Sequence, residues 1–358
     1  MNAGGALEWR SGCPMGRTSS RILAVSAVSW PGGAEITLMR LLRGLAARGW
    51  TVTVAAPGPG PLRDEALAAG FAFERIGSGR LARRGGAAAV LSWPRVRRLA
   101  GAVDVLYLNG AVCGRLIPAL AGRRRAPRVV LHVHDMVARA PRMWRRADVV
   151  LADSAAVARR LGGLDPEVVH LPVELEPPAA EPPWDGGAGP VVGFVGRVEP
   201  RKGVLDLVRA APLIRRGAPG ARVVVVGEDP YRSDPAYTAA VLRSPEIEHH
   251  PWTANAPGLM RHLDVLVLPS RQEPFGTVLA EAMAVGTPVV ATRVDGLPEV
   301  VEDGVTGRLV APGDPEALAA AVLEVLGRRG EMGAAARRSA RRFAAETYVE
   351  RVEALIGR

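Results

Sequence analysis

Short apolar runs of strand length alternate along this chain with segments of helical spacing, and that alternation limits its fold more than any other feature. Residues 21–28 read as a first buried strand. A turn at Pro31, Gly32 and Gly33 leads into an amphipathic helix over about 34–48, with Leu38, Leu41, Leu42 and Leu45 on one face. Gly49 ends it, and 51–55 is the next strand. Further strands are predicted at 71–76, 103–108, 128–134, 148–152 and 167–171, with helices near 113–121 and 154–161. Nearly continuous apolar strands joined by short connections indicate parallel sheet covered on both faces.

The pattern breaks once. Pro172, Pro177, Pro178, Pro182, Pro183 and Pro190, with Gly186, Gly187 and Gly189, predict an extended linker and a domain boundary. Alternation then resumes, with strands at 191–196, 221–227, 263–268 and 289–292 and a helix over 204–214. Asp314 caps a helix reaching about Leu326; a basic helix over 332–345 and an amphipathic segment over 347–356 close the chain. The predicted organisation is a disordered extension over 1–20, a Rossmann-like domain over 21–172, a linker over 173–190 and a second Rossmann-like domain over 191–341. Residues 342–358 form a closing helix.

A chain of 358 residues, 48% of them hydrophobic, can bury two cores. No apolar run reaches the ~18 residues of a membrane span, and Cys13 and Cys113 suggest neither a disulfide framework nor a metal site, so a cytoplasmic location is expected. Charge divides unevenly: residues 1–172 hold 25 arginines against 11 acids, and residues 173–358 hold 21 cations against 25 acids. A basic first half suits an acidic partner such as anionic lipid, as well as a plain solvated surface. With 4% aromatics and no zinc spacing, nucleic acid is not indicated. Among 46 basic residues the one lysine is Lys202, which hints that a compact ammonium is needed there.

Between the strands at 263–268 and 289–292 lie a turn carrying Glu273 and a helix that Gly276 and Thr277 open, with Glu281 farther along it. Eight residues at a helical rise span about 12 Å, more than the roughly 5–9.5 Å between carboxylates flanking a glycosidic bond in hydrolases. Two readings stay open on spacing alone: two solvated glutamates on a βαβ unit, or two acids addressing the ends of one long ligand, with the helix N-terminus aimed at negative charge between them.

Other loops carry candidate ligand groups. Arg197 and Lys202 share a glycine-bearing strand-to-helix loop that suits a diphosphate, and no Asp-x-Asp offers a metal anchor. Gly32 and Gly33 allow a close backbone approach to a phosphate. His132 and His134 face one side of a strand; a metal pair there lacks a third ligand of suitable spacing, so a hydrogen-bonded histidine is favoured. Gly77-Ser-Gly-Arg-Leu-Ala82 fits a dinucleotide pattern but follows the third strand and lacks the acid ~20 residues on, which excludes a nicotinamide site.

Glu273-Pro-Phe-Gly-Thr-Val-Leu-Ala-Glu281, followed by Gly296-Leu-Pro-Glu-Val and Asp303-Gly-Val-Thr-Gly307, resembles the donor-site signature of glycosyltransferase family 4, retaining enzymes of the GT-B fold. Gly-Arg197 followed by Lys202-Gly resembles the family's diphosphate-binding pair, the turn at Gly32 and Gly33 its first loop, and His134-Asp135 its active-site histidine. The resemblance implies two Rossmann-like domains facing across a cleft, a final helix crossing back to the first, and hexosyl transfer from a nucleoside-diphosphate sugar to an acceptor hydroxyl. It further implies Arg197 and Lys202 on the diphosphate, with Glu273 on sugar hydroxyls. Glu281 would take the ribose and His134 the sugar, while Gly32, Gly33, Phe275, Gly276 and Thr277 line the donor. No metal or cofactor is expected, because fixed cations take the place of Mg²⁺. Leu171-Pro-Val-Glu174 departs from the Asn-Gly turn usual before the second domain.

The acceptor is unspecified. Trp93 and Trp144, set among arginines, suggest short interfacial helices docking on anionic membrane, hence peripheral association and a lipid-linked or anionic acceptor. Competing readings are a nucleotide-sugar epimerase of the same fold and a non-catalytic sugar-nucleotide-binding protein.

Overall fold

The computed structural model describes residues 19–79, 86–123, 125–230, 232–253 and 255–357. Most of the predicted 1–20 extension and Cys13 lie outside the described residues, as do the last three positions of the Gly77–Ala82 pattern. Ser19 and Ser20 already belong to the fold: the Ser19 hydroxyl donates to the Gly49 carbonyl at 2.8 Å, and the Thr51 amide donates to the Ser20 carbonyl.

The chain forms two compact units, residues up to Pro172 together with Ala345 onward, and Val173–Ala344. The first contains β1 (Arg21–Ser26), α1 (Gly33–Ala47), β2 (Thr51–Ala56), α2 (Pro61–Ala68), β3 (Ala72–Arg75), α3 (Ala87–Leu99), β4 (Val105–Asn109), β5 (Arg128–Val133), β6 (Val149–Ala152), α4 (Ala155–Arg160) and β7 (Glu167–Val168). Its parallel sheet has the order β3-β2-β1-β4-β5-β6-β7. Period-two alternation divides the strand residues between two cores. Ile22, Ala24 and Tyr107 pack with Leu38, Leu41 and Leu45 of α1, whereas Leu23, Val25, Leu106 and Leu108 face Val96 of α3 and Leu116.

The segment predicted as a helix near 113–121 is a 3-10 helix, Ala111–Leu120. Gly114 and Pro118 explain the difference: one has poor helix propensity and the other lacks an amide donor. The two tryptophans proposed for membrane docking turn inward. Trp144 is 3% exposed, and half-buried Trp93 donates its indole N–H to the Arg115 carbonyl at 3.2 Å. The Trp144 ring is closed off from a lipid surface, and the Trp93 ring is partly so. Among the described residues no helix is long and apolar enough to cross a membrane.

The second unit contains β8 (Val191–Val195), α5 (Val204–Gly217), β9 (Arg222–Val226), α6 (Pro235–Leu242), β10 (Glu248–His250), α7 (Ala256–Met260), β11 (Val265–Leu268), α8 (Thr277–Ala284), β12 (Val289–Thr292), α9 (Leu297–Val300), β13 (Gly307–Val310), α10 (Pro315–Gly327) and α11 (Arg329–Ala340). The parallel sheet order is β10-β9-β8-β11-β12-β13. The Asp314 carboxylate caps α10 by accepting from the Ala317 amide at 2.8 Å.

Residues 173–190 are irregular, as their prolines require, yet they are part of this unit. The Val173 amide donates to the Phe343 carbonyl, Trp184 is buried, and the carbonyls of Pro177 and Pro178 accept from Arg261 and Asn255. Proline lacks an amide donor but keeps its carbonyl, and those carbonyls fasten the segment down. The chain returns to the first unit at Ala345 rather than at the predicted 342. There α12 (Ala345–Ile356) lays Val349 and Val352 on the core shared with α1, and Glu353 accepts from the Trp50 indole at 2.8 Å.

Candidate functional site

Each sheet reverses strand order once, between β1 and β4 in the first unit and between β8 and β11 in the second. Parallel α/β sheets place ligands at the carboxyl ends of strands beside such a reversal. The amino ends are occupied structurally: Asp104, Asp148 and Asp264 each precede a strand and accept an amide from the first or second residue of its neighbour, Arg21, Val129 and Val191.

At the carboxyl ends of the first sheet the polar residues meet one another. Ser26 closes β1 and is in register with Asn109, which closes β4; His134 follows β5 and Asp153 follows β6. All four are buried. His134 Nδ1 lies 2.9 Å from Asp153 Oδ1 and 3.1 Å from Oδ2, and its Nε2 lies 2.9 Å from Asn109 Oδ1. The Asn109 amide donates to the Ala34 carbonyl at 3.4 Å, which sets its oxygen toward the histidine and ties the pair to the start of α1. Glu35 accepts from the Ser26 hydroxyl and the Gly32 amide, both at 3.0 Å, the second being the half of a capping box that a glycine cap allows. Gly32 caps α1 and Gly33 is its exposed first residue, where an added Cβ would meet nothing within 4 Å.

His132 stands behind this group. Its Nδ1 is hydrogen-bonded with the Tyr107 hydroxyl at 2.6 Å, and its Nε2 lies 2.9 Å from Asp153 Oδ1 but poorly aligned for a hydrogen bond. Burial lowers the His132 pKa to about 4, helped by the neighbouring His134 and opposed by Asp153. Burial also pulls His134 down, but the charge and hydrogen bond of Asp153, with Glu35 and Asp135, outweigh it and raise its pKa. Asp153, pushed up by burial, is held down to about 2 by the two histidines. His132, His134 and Asp153 bring one potential ligand atom each within 4.8 Å of one another. The expectation that the histidine pair lacks a third such group is therefore corrected: Asp153 supplies it from the next strand. Their short contacts have ordinary hydrogen-bond lengths, which protons satisfy.

In the second unit two loops flank the reversal. Gly203 has φ +66°, and an added Cβ would lie 2.0 Å from the Pro269 carbonyl oxygen, so the loop after β8 can approach the end of β11 only with glycine there. The Arg271 amide donates to the Arg201 carbonyl at 2.8 Å, and Arg201 donates to the Gln272 carbonyl at 3.1 Å. Across this junction the Lys202 ammonium pairs with Glu273 Oε2, which also accepts from the Ser270 hydroxyl at 3.2 Å. The Glu273 amide donates to Asp295, held at φ +42°. Gly276, at φ +90°, caps α8; half-buried Thr277 is the helix's first residue, and Glu281 lies half-buried on it. Arg197 is exposed, with Nη2 3.5 Å from Glu199.

One assignment needs correction. Phe275 is 1% exposed, and its ring meets Phe343 edge-on at 5.5 Å, so its side chain belongs to the core and only its backbone can serve a ligand. Asn109, Glu35 and Asp153 escaped the sequence reading. The signal for Asn109 and Asp153 is a polar residue directly after an apolar strand, at the end where ligands collect.

The sequence profile described as Glycosyltransferase Family 4 matches residues 31–177, and that of Glycosyl transferases group 1 matches residues 189–328. The GDP-mannose-dependent alpha-(1-6)-phosphatidylinositol monomannoside mannosyltransferase of Mycolicibacterium smegmatis is 33% identical over 283 residues, 68% of this chain and 74% of that protein. The chain belongs to glycosyltransferase family 4. The phosphatidyl-myo-inositol mannosyltransferase of Mycobacterium leprae is 30% identical over 83% of this family 4 chain and 84% of its own length. The glycogen synthase of Mycobacterium tuberculosis is 42% identical over 151 residues, but the match spans only 36% of that enzyme. Among solved structures, Anabaena HepE in complex with UDP-glucose superposes with a TM-score of 0.78 at 22% identity over 94% of this chain and 99% of that one. Sucrose-phosphate synthase from Thermosynechococcus elongatus gives 0.72 at 22% identity over 94% and 98%. These likenesses are of fold, and the fold is GT-B.

Proposed function

We propose that this chain transfers a hexosyl group from a nucleoside-diphosphate sugar to an acceptor hydroxyl, with retention of anomeric configuration and without a metal ion. One observation carries the reading: Lys202 and Glu273 are paired across the strand-order reversal, next to the opening turn of α8. Bond cleavage in such a donor leaves negative charge on the departing diphosphate and positive charge on the sugar. A diphosphate draws the ammonium from the carboxylate, and Glu273 is released to bind sugar hydroxyls. Arg197, Lys202 and the amides following Gly276 supply positive charge where the leaving group develops it. Removing one donor of this kind typically costs ~2.7–4 kcal/mol of barrier. Glu281 takes the ribose hydroxyls, and His134 takes the sugar once its Nε2 leaves the Asn109 amide oxygen. The leaving phosphate accepts the acceptor's proton, which leaves the protein no covalent step.

Two cations in one loop and the lack of any Asp-x-Asp support metal independence. Relatives that act on phosphatidylinositol derivatives support a lipid-linked or anionic acceptor reached by peripheral association with a membrane, through surfaces other than Trp144.

The test is incubation of the full chain with a panel of nucleotide sugars, including GDP-mannose and UDP-glucose, with released nucleotide and sugar followed by NMR. The reading expects slow hydrolysis of at least one donor, the sugar first appearing with the donor's anomeric configuration. Inverted product would remove retention. Epimerised donor in place of hydrolysis would favour the epimerase reading, and inertness toward the whole panel would contradict the transferase reading.

A further inference from the structure

We propose that Asp153 and Asn109 hold His134 as an imidazolium, so that it acts as a fixed positive charge and not as a general base. The geometry leaves little choice. An imidazole nitrogen facing an oxygen that can only accept must carry a proton, and His134 faces such an oxygen on both sides. One is a carboxylate at 2.9 Å from Nδ1; the other is an amide oxygen at 2.9 Å from Nε2. Asn109 cannot turn its amino group toward the ring without losing its own bond to the Ala34 carbonyl.

The groups facing His134 favour the same state. Asp153 follows β6, Glu35 lies on α1, Asp135 is the next residue in the chain, and each raises the tendency of His134 to hold its proton. His132, on β5, is the one cationic candidate among them, and burial keeps it neutral. The directly bonded pair of His134 and Asp153 thus carries one positive and one negative charge in a buried site, the arrangement burial tolerates best. Asp153 and Asn109 are positioning residues. They fix the ring's direction and its charge. A doubly protonated imidazole has no lone pair with which to take the acceptor's proton, so that proton goes elsewhere.

Only the kinetic arm of the test rests on the transferase reading. The first arm needs no ligand: long-range ¹H–¹⁵N spectra of the full chain with labelled histidine, six imidazoles in all, with His134→Gln as the assignment control. The inference predicts both His134 nitrogens protonated at pH 7, and a return to the neutral ring at that pH in Asp153→Asn. A neutral His134 in the wild type at pH 7 overturns it, and so does a stoichiometric transition metal whose removal by EDTA moves the His132 and His134 signals. If Asp153→Asn does not fold, the wild-type spectrum decides alone. The second arm follows donor hydrolysis against pH. Rates should stay level or fall as pH rises through the His134 titration, and Asp153→Asn should move any falling limb to lower pH. A rate that climbs through the same titration would mark a base and overturn the inference. Should no nucleotide sugar turn over, the transferase reading fails, and the spectra still decide the charge of His134.

Discussion

The ammonium of Lys202 rests against the carboxylate of Glu273, 71 positions away in sequence, with side-chain exposures of 13% and 9%. The pair joins the loop after β8 to the loop after β11. Removing the lysine leaves a nearly buried carboxylate with the Ser270 hydroxyl and no cation. Lys202→Ala should therefore lose about 1–3 kcal/mol of stability in denaturant unfolding, whereas the double change Lys202→Ala with Glu273→Gln should recover part of it. Equal losses in both would show that the unpaired Glu273 carboxylate is not what costs the fold.

Gly203 makes that approach possible. Alanine would have to hold φ near +66° and would bring its Cβ to 2.0 Å from the Pro269 carbonyl oxygen. A left-handed residue with a Cβ costs about 1–2 kcal/mol before any clash. Gly203→Ala should therefore destabilise by about 2 kcal/mol or more. Gly33→Ala, where a Cβ meets nothing within 4 Å, should change unfolding little. Paired urea titrations compare them.

Phe275 should behave as a core residue. Phe275→Ala should cost ~3–5 kcal/mol, and a double-mutant cycle with Phe343 should return a coupling of ~0.5–1.5 kcal/mol from their edge-on contact at 5.5 Å. A Phe275→Ala protein of wild-type stability would place the ring outside the core.

The first unit should weaken on mild acidification. His132 is buried neutral with its folded pKa lowered to about 4 from 6.5, so the unfolded chain takes up a proton first as pH falls. Its contribution is intact above pH 6.5 and is lost as pH falls from there toward 4, about 3 kcal/mol in all. His134 runs the other way, because its raised pKa adds stability below its unfolded value and loses it as pH rises through the folded one. Asp153, lowered to about 2, loses its share as pH drops below 3.8. Unfolding free energies across pH 4 to 7 should slope downward on acidification in the wild type and less steeply in His132→Gln.

Much of this architecture could be read from the residues. Strand–helix alternation yields both parallel sheets, and the stretch from Glu273 to Glu281 lands where a sheet of this order gathers ligands. What could not be read depends on contacts between strands. Asp153 precedes Ser154, the cap of α4, and so looks like ordinary helix-start chemistry until β5 and β6 set it beside His134. Phe275 sits inside a ligand motif, and nothing local shows that its ring packs on Phe343, 68 residues later. The prolines of 173–190 announce irregular backbone correctly, but they cannot reveal that Asn255 and Arg261 pin their carbonyls.

The central claim is that a donor's diphosphate takes Lys202 from Glu273. Isothermal titration of UDP-glucose and GDP-mannose into the wild type, Lys202→Ala and Glu281→Ala tests it most directly. At least one donor should bind the wild type and lose tenfold or more in affinity, ~1.4 kcal/mol, in each variant. Unchanged affinity in both variants, with both folded, would contradict it.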